Sequence, residues 1–324
     1  MMTTSTATND KYRVTGIRAR THLVMRHISR VTRSAFSMVE LLVAMTLLSL
    51  IVLVLMAVFS STQRAFRASM TQTDVLEGSR FAMDLITTDL RTMVPSYGVS
   101  NYVYLNGVYS YGAVNFFNTN NAYEYPQYGY APLVQSLPGT GAFRTNTLQC
   151  FFILGRKNTK WTGAGYAVNS GSSSPLYPLY RFYAETNIDV NPLALCLRFQ
   201  YEVYNGQWTN LSHVMDGVVH LVVRTYDPNG YWLTNGYDFW QTNRPQNVWF
   251  SPVSSGEVGC AFYSNAVPAA VELQLGVLED RTLQRASSLG AGVPRSAYLQ
   301  NQAGHVQLFR ARVSIPNVDP TAYQ

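Results

Sequence analysis

The sequence predicts an α+β chain: a long N-terminal helix, transmembrane in its first half and amphipathic in its second, packed on an antiparallel β-sheet or sandwich head. Three observations predict it. Residues 41–59, LLVAMTLLSLIVLVLMAVF, are nineteen residues without a charge, Pro or Gly, the length a helix needs to cross a hydrocarbon core of ~30 Å. Between Phe36 and Val94 there is no Pro and a single Gly, Gly78, so little interrupts a helix over that whole stretch. Beyond it the apolar residues recur with a period of two, the signature of half-buried strands. The predicted organisation is a basic leader over 1–35, a helix over 36–95 that contains the span 41–59, and a β-rich head over 96–324.

Charge orients the helix. Seven of the 24 basic residues and one of the 18 acids lie in residues 1–35, a net +6 that equals the charge of the whole chain. The rest is therefore neutral, and no basic footprint for nucleic acid is expected on the head. Basic residues before an apolar span hold that side in the cytoplasm, so the head is expected across the membrane. The apolar run continues as VFSSTQRAF, in helical phase and without a small-x-small cleavage site, unlike a secretory signal. Charged residues make up 13% of the chain, about half of the usual quarter, and Tyr, Asn, Gly, Ser and Thr replace them in a mix suited to strands and polar turns.

Glu40 stands at the mouth of the apolar run, where a carboxylate costs a few kcal/mol unless it is paired or displaced to the interface. Alone it reads equally well as an interfacial acid. Its surroundings, Ser34-Ala35-Phe36-Ser37-Met38-Val39-Glu40-Leu41-Leu42, resemble the prepilin signature of the type IV pilin and pseudopilin superfamily: a small residue before the cut, Phe as the new N-terminus and Glu fifth. The resemblance implies that a prepilin peptidase cuts between Ala35 and Phe36 and N-methylates Phe36. It also implies that Glu40 pairs with the new ammonium of a neighbouring subunit inside the apolar layer, each charge offsetting the other's cost. One departure is Ala35, where the family usually has Gly. An internal start at Met25 would give the leader MRHISRVTRSA, a length more typical of the family.

The second half of the helix is amphipathic, with Leu76, Met83, Ile86, Leu90 and Val94 on one face and Glu77, Arg80, Asp84 and Arg91 elsewhere; Pro95 ends it. The stretch LEGSRFAMDLITTDLRTMVP resembles the matching region of the J-type minor pseudopilins of type II secretion and of the large W-type minor pilins. Residues 97–130 hold nine Tyr and six Asn and read as an irregular loop or edge hairpin over the sheet, in preference to an aromatic ligand surface. Alternation predicts strands over 195–203, 219–223, 271–277 and 309–315, with others through 147–154, 178–184 and 247–251, and a turn at Asp227-Pro228-Asn229-Gly230. DGVVHLVVRTYDPNGYW, a loop with Trp240, VPAAVELQLGVLED and HVQLFRARVSIPN resemble, more loosely, the heads of the same relatives.

No catalytic motif appears. His220, between Val218 and Val222, reads as a structural histidine, and the Asp227/Asn229 and Asp189/Asn191 pairs read as turn residues before calcium ligands. Cys150, Cys196 and Cys260 allow one disulfide with a thiol left over, or three buried small hydrophobes. No cofactor and no metal are expected. The expected partners are prepilin peptidase, other pilins or pseudopilins through the N-terminal helix, and membrane lipid. The leading expectation is a minor pseudopilin that takes part in assembling or capping a type II secretion pseudopilus. A minor pilin of a type IV pilus and a membrane-tethered ligand-binding head are the alternatives, and no enzyme is expected.

Overall fold

The computed structural model describes residues 37–96, 103–105, 108–110, 115–119, 133–234, 247–252 and 257–323. The chain divides into two compact units, Met1–Ser61 and Thr62–Gln324. The helix α1 (Met38–Arg91) contributes to both.

In the first unit the apolar side chains of α1 stand exposed around the whole circumference, from Met38 to Phe59. An apolar residue stays out of water only if something covers it, and a helix apolar all round has no side that prefers solvent. The segment Met38–Arg67 is long and apolar enough to cross a membrane, and none of its most apolar stretch is buried within the protein. That fits a single-pass membrane protein.

The second unit is mixed helix and sheet. In chain order it holds β1 (Val103–Leu105), β2 (Val108–Ser110), β3 (Asn115–Thr119), β4 (Val134–Ser136), β5 (Phe143–Thr145), β6 (Gln149–Lys157), β7 (Lys160–Val168) and β8 (Leu179–Asn187). There follow α2 (Leu193–Tyr204), β9 (Ser212–Met215), β10 (Val218–Tyr226), β11 (Val248–Pro252), β12 (Val258–Phe262), β13 (Ala270–Leu278), α3 (Asp280–Ser288), α4 (Val293–Gln300) and β14 (Val306–Ser314). A seven-stranded antiparallel sheet runs β11-β12-β3-β6-β7-β8-β9, a three-stranded one β10-β13-β14, and β1-β2 and β4-β5 are separate hairpins. The Leu221 amide donates to Thr147 O at 2.9 Å, tying β10 to the approach to β6.

Two cores meet at β6. Phe151 and Ile153 point into a cluster with Met83, Ile86 and Leu90 of α1 and with Leu221, Leu273 and Leu275 of the smaller sheet. Phe152 and Leu154, on the opposite face, pack with Phe182, Leu195 and Phe199. On α1 the buried positions are 79, 82, 83, 86, 89 and 90, a stripe at the three-four spacing of an amphipathic helix. Glu77, Arg80, Asp84 and Arg91 all lie outside it, as expected from their charge.

Several expectations need correction. Residues 195–203 form the helix α2 and not a strand: Leu195, Cys196, Phe199, Glu202 and Val203 are buried, whereas Tyr201 is exposed. It packs on β7 where that strand has no side chains to obstruct it. A Cβ on Gly165 would stand 2.6 Å from the Phe199 ring, and one on Gly163 would stand 3.1 Å from the Leu195 Cβ. The helix α1 stops at Arg91, short of Pro95, because the chain turns to pair with β6: the Val94 amide donates to Leu154 O at 2.9 Å and Met93 bridges to Gly155. In the Tyr-rich segment β1 and β2 form the expected hairpin, but β3 lies inside the seven-stranded sheet between β12 and β6. The strands β7 and β12 and the helices α3 and α4 carried no predicted element.

Candidate functional site

The predicted cleavage and methylation positions, Ala35 and Phe36, and the loop residue Trp240 lie outside the described residues. Glu40 lies within them, in the first turn of α1. The Ser37 amide donates to Glu40 Oε2 at 2.9 Å and the Glu40 amide donates to Ser37 Oγ at 3.2 Å. This reciprocal pair is a capping box, which satisfies two of the helix's otherwise orphaned donors and sets a negative charge against the positive end of the helix dipole. The spacing Ser-x-x-Glu directly before an apolar run is its sequence signal, and at Ser37–Glu40 that signal went unread behind the cleavage motif. Glu40 thus has a local partner on its own chain, and its side chain is exposed.

A second arrangement of charge was not foreseen at all. Asp89, at the C-terminal end of α1, is buried. It accepts from Arg181 Nε and Nη2 of β8, both at 2.9 Å, and from Tyr166 Oη of β7 at 2.5 Å. The fork of a guanidinium on a carboxylate fixes angle as well as distance. Burial, reinforced by the Asp89 charge and hydrogen bond, pushes the Tyr166 hydroxyl far above the usual tyrosine range, so it remains a donor. Burial opposes the Arg181 charge, but the hydrogen bond it donates to Asp89, together with the electrostatic contributions of Tyr166 and Asp89, outweighs it and the guanidinium pKa is raised. The trio joins α1 to two central strands. It holds position and offers no reactive group.

The other candidate groups resolve as structural. His220 Nδ1 accepts from the Thr147 amide at 3.2 Å, and burial, followed by the nearby Arg144 charge, lowers its pKa to about 4. Asp227 Oδ1 accepts from the Tyr231 amide at 2.7 Å across the predicted turn, and Asn191 Oδ1 accepts from the Leu193 amide at 2.9 Å at the start of α2. All three cysteines are buried thiols. Burial pushes Cys260 up to about 12 and Cys196 higher still, so neither is a ready nucleophile. Among the described residues no group of three or more His, Cys, Asp or Glu is placed to hold a metal ion.

No family model matches the chain, no curated protein matches it, and no solved structure matches it.

Proposed function

We propose that the chain is a prepilin-type subunit, a minor pseudopilin or minor pilin, that is cut between Ala35 and Phe36 and joins a filament through its apolar helix. The observation that carries this reading is a conjunction in one short stretch. A basic leader, the SAFSMVELL run and an apolar segment exposed on all sides follow one another without a break. In this reading the leader lies in the cytoplasm, the span in the inner membrane and the β-rich head beyond it. The last turns of α1 pack on the sheets of the head. The exposed apolar surface of α1 is covered first by lipid and then by the same helix of neighbouring subunits, two environments of similar polarity, so transfer between them costs little hydrophobic energy. Glu40 gives that transfer its specificity by taking the N-terminal ammonium of a neighbour.

The test is processing and assembly together. Co-expressed with a prepilin peptidase of its own system, membrane-extracted protein should begin at N-methylated Phe36 by mass spectrometry and crosslink to other pilins through residues 38–59. A mature chain that keeps residues 26–35 would sink the reading.

A further inference from the structure

A free sheet edge displays unpaired backbone donors and acceptors, and proteins that do not use one shorten it, bend it or place Pro on it. The two larger sheets end at β10 and β14 and at β9 and β11. The outer side of β10 is bridged at Leu221 by Leu148 and at Tyr226 by Trp232. The strand β9 has four residues and joins β8 through an irregular register. The strand β11 has five and ends in Pro252, which has no N–H to give. The strand β14 carries none of these devices. Its nine residues contain neither Pro nor Gly and pair with β13 in an unbroken register, from Val306 with Leu278 to Ser314 with Ala270. Among the described residues no other backbone pairs with its outer side.

The side chains of β14 show what this edge accepts. Phe309 and Ala311 pack against the larger core but stay half-buried, since that core ends at this strand. Leu308, Arg310 and Arg312 alternate with them and are exposed. The Arg312 guanidinium lies 4.2 Å from the centre of the Tyr226 ring, and neither arginine forms an ion pair. Glu272 stands opposite Arg312 in the β13–β14 register. Its carboxylate already accepts from Tyr226 Oη and Gln274 Nε2, both at 2.8 Å, and lies 3.9 Å from Arg224; Arg310 acts on it from further away. We propose that β14 is a docking edge for an extended strand of another protein, one that alternates apolar and acidic side chains. Its apolar residues would cover Phe309 and Ala311 on one face, and its carboxylates would meet Arg310 and Arg312 on the other. Backbone hydrogen bonds supply the attachment and the alternating side chains choose the partner. A second copy of β14 fits poorly. The antiparallel register that uses all nine residues sets Arg310 against its own copy, and moving the centre to Ala311 sets it against Arg312. The inference concerns the second unit alone and does not depend on the prepilin reading.

The test is hydrogen exchange over residues 306–314 of the full chain in detergent micelles, with a synthetic peptide of alternating Val and Glu matched to the length of β14. Without peptide the outward amides of β14 should exchange quickly. Millimolar peptide should slow them and leave β9 and β11 unchanged. Arg310→Gln/Arg312→Gln, both at exposed positions, should weaken peptide binding by about two- to fivefold for each arginine. A peptide of alternating Val and Lys should protect far less, and the Val/Glu peptide N-methylated at alternate amides should not protect at all. No protection by the Val/Glu peptide, or full protection in the double variant, overturns the proposal. Equal protection by the Val/Lys peptide removes the acidic partner, and protection by the methylated peptide removes strand pairing; either overturns it. Slow exchange without peptide also overturns it: if independent of protein concentration, the chain covers its own edge, and if rising with concentration, the occupant is a second copy.

Discussion

Replacing Asp89 with Ala removes the acceptor of three hydrogen bonds at once and separates two kinds of loss. Arg181 would keep a charge with neither of its 2.9 Å bonds, and Tyr166, fully buried, would keep a hydroxyl with no acceptor. Breaking a buried ion pair from one side costs about 3–5 kcal/mol. Arg181 keeps 20% of its side chain exposed and can turn part of the guanidinium to water, which places its share near the lower end. With the stranded hydroxyl included, Asp89→Ala should cost about 3–4 kcal/mol. Tyr166→Phe, which removes one donor and leaves the guanidinium fork intact, should cost about 1.5 kcal/mol. Asp89→Ala/Arg181→Met removes the stranded charge as well and should recover about 2 kcal/mol of the single-variant loss. The assay is urea unfolding of the full chain in detergent micelles, followed by tryptophan fluorescence; Trp161 is buried in the core beside α2 and reports on it. An Asp89→Ala cost below about 1 kcal/mol, or a cycle additive within about 0.5 kcal/mol, would refute the account of Asp89 as the carboxylate that joins helix to sheet.

Three further outcomes follow from other positions. Glu40→Ala should leave insertion and processing intact but reduce crosslinking to partner subunits, because a neighbour's ammonium left alone in the apolar layer costs about 3–5 kcal/mol; unchanged crosslinking would return Glu40 to its capping role. His220 has a folded pKa lowered to about 4 from 6.5. Its stability contribution is therefore complete above pH 6.5 and drains as pH falls toward 4, by about 3 kcal/mol in all. His220→Gln, which keeps an acceptor for the Thr147 amide, should flatten that acid limb in denaturation curves measured between those values. Gly165→Ala, whose Cβ would stand 2.6 Å from Phe199, should lift α2 from the sheet and cost about 1–3 kcal/mol, seen as loss of exchange protection over residues 193–204.

The second half of the long helix was legible because its apolar residues recur at helical spacing. The strands β10, β13 and β14 were legible because apolar residues alternate along them in the sequence, although β6 and β10 are buried almost throughout and not on one face alone. The α2 error shows where the method loses power. Positions 195, 199 and 203 are four apart, so they share a face both on a strand and nearly so on a helix. The residues that decide between the two are Cys196 and Glu202, buried, and Tyr201, exposed; on a strand, Tyr201 would have shared the buried face of Leu195, Phe199 and Val203. Glu202 misleads in particular, since a charged residue reads as exposed until Arg198 is seen to pair with it at 2.9 Å. The strand β7, KWTGAGYAV, was invisible for the opposite reason. Its small residues exist to admit α2, a requirement of a neighbour and not of the strand itself. Asp89 was read only as part of a family-like stretch, because its partners stand 77 and 92 residues away.

The capping box also bears on timing. A carboxylate held by its own chain is not waiting open in the bilayer for any passing cation. To take a neighbour's ammonium, Glu40 could keep the Ser37 amide on Oε2 and offer Oε1, adding a stronger bond that exists only when a second helix arrives in register. In that reading the cap holds the carboxylate in one orientation, so an aligned helix would add a charged pair and a misaligned one would add nothing. Removal of residues 1–35 would place the new amine one residue before Ser37, so the chain's own N-terminus competes for the same carboxylate. Processing would then change the contest for Glu40 as well as create the partner it seeks.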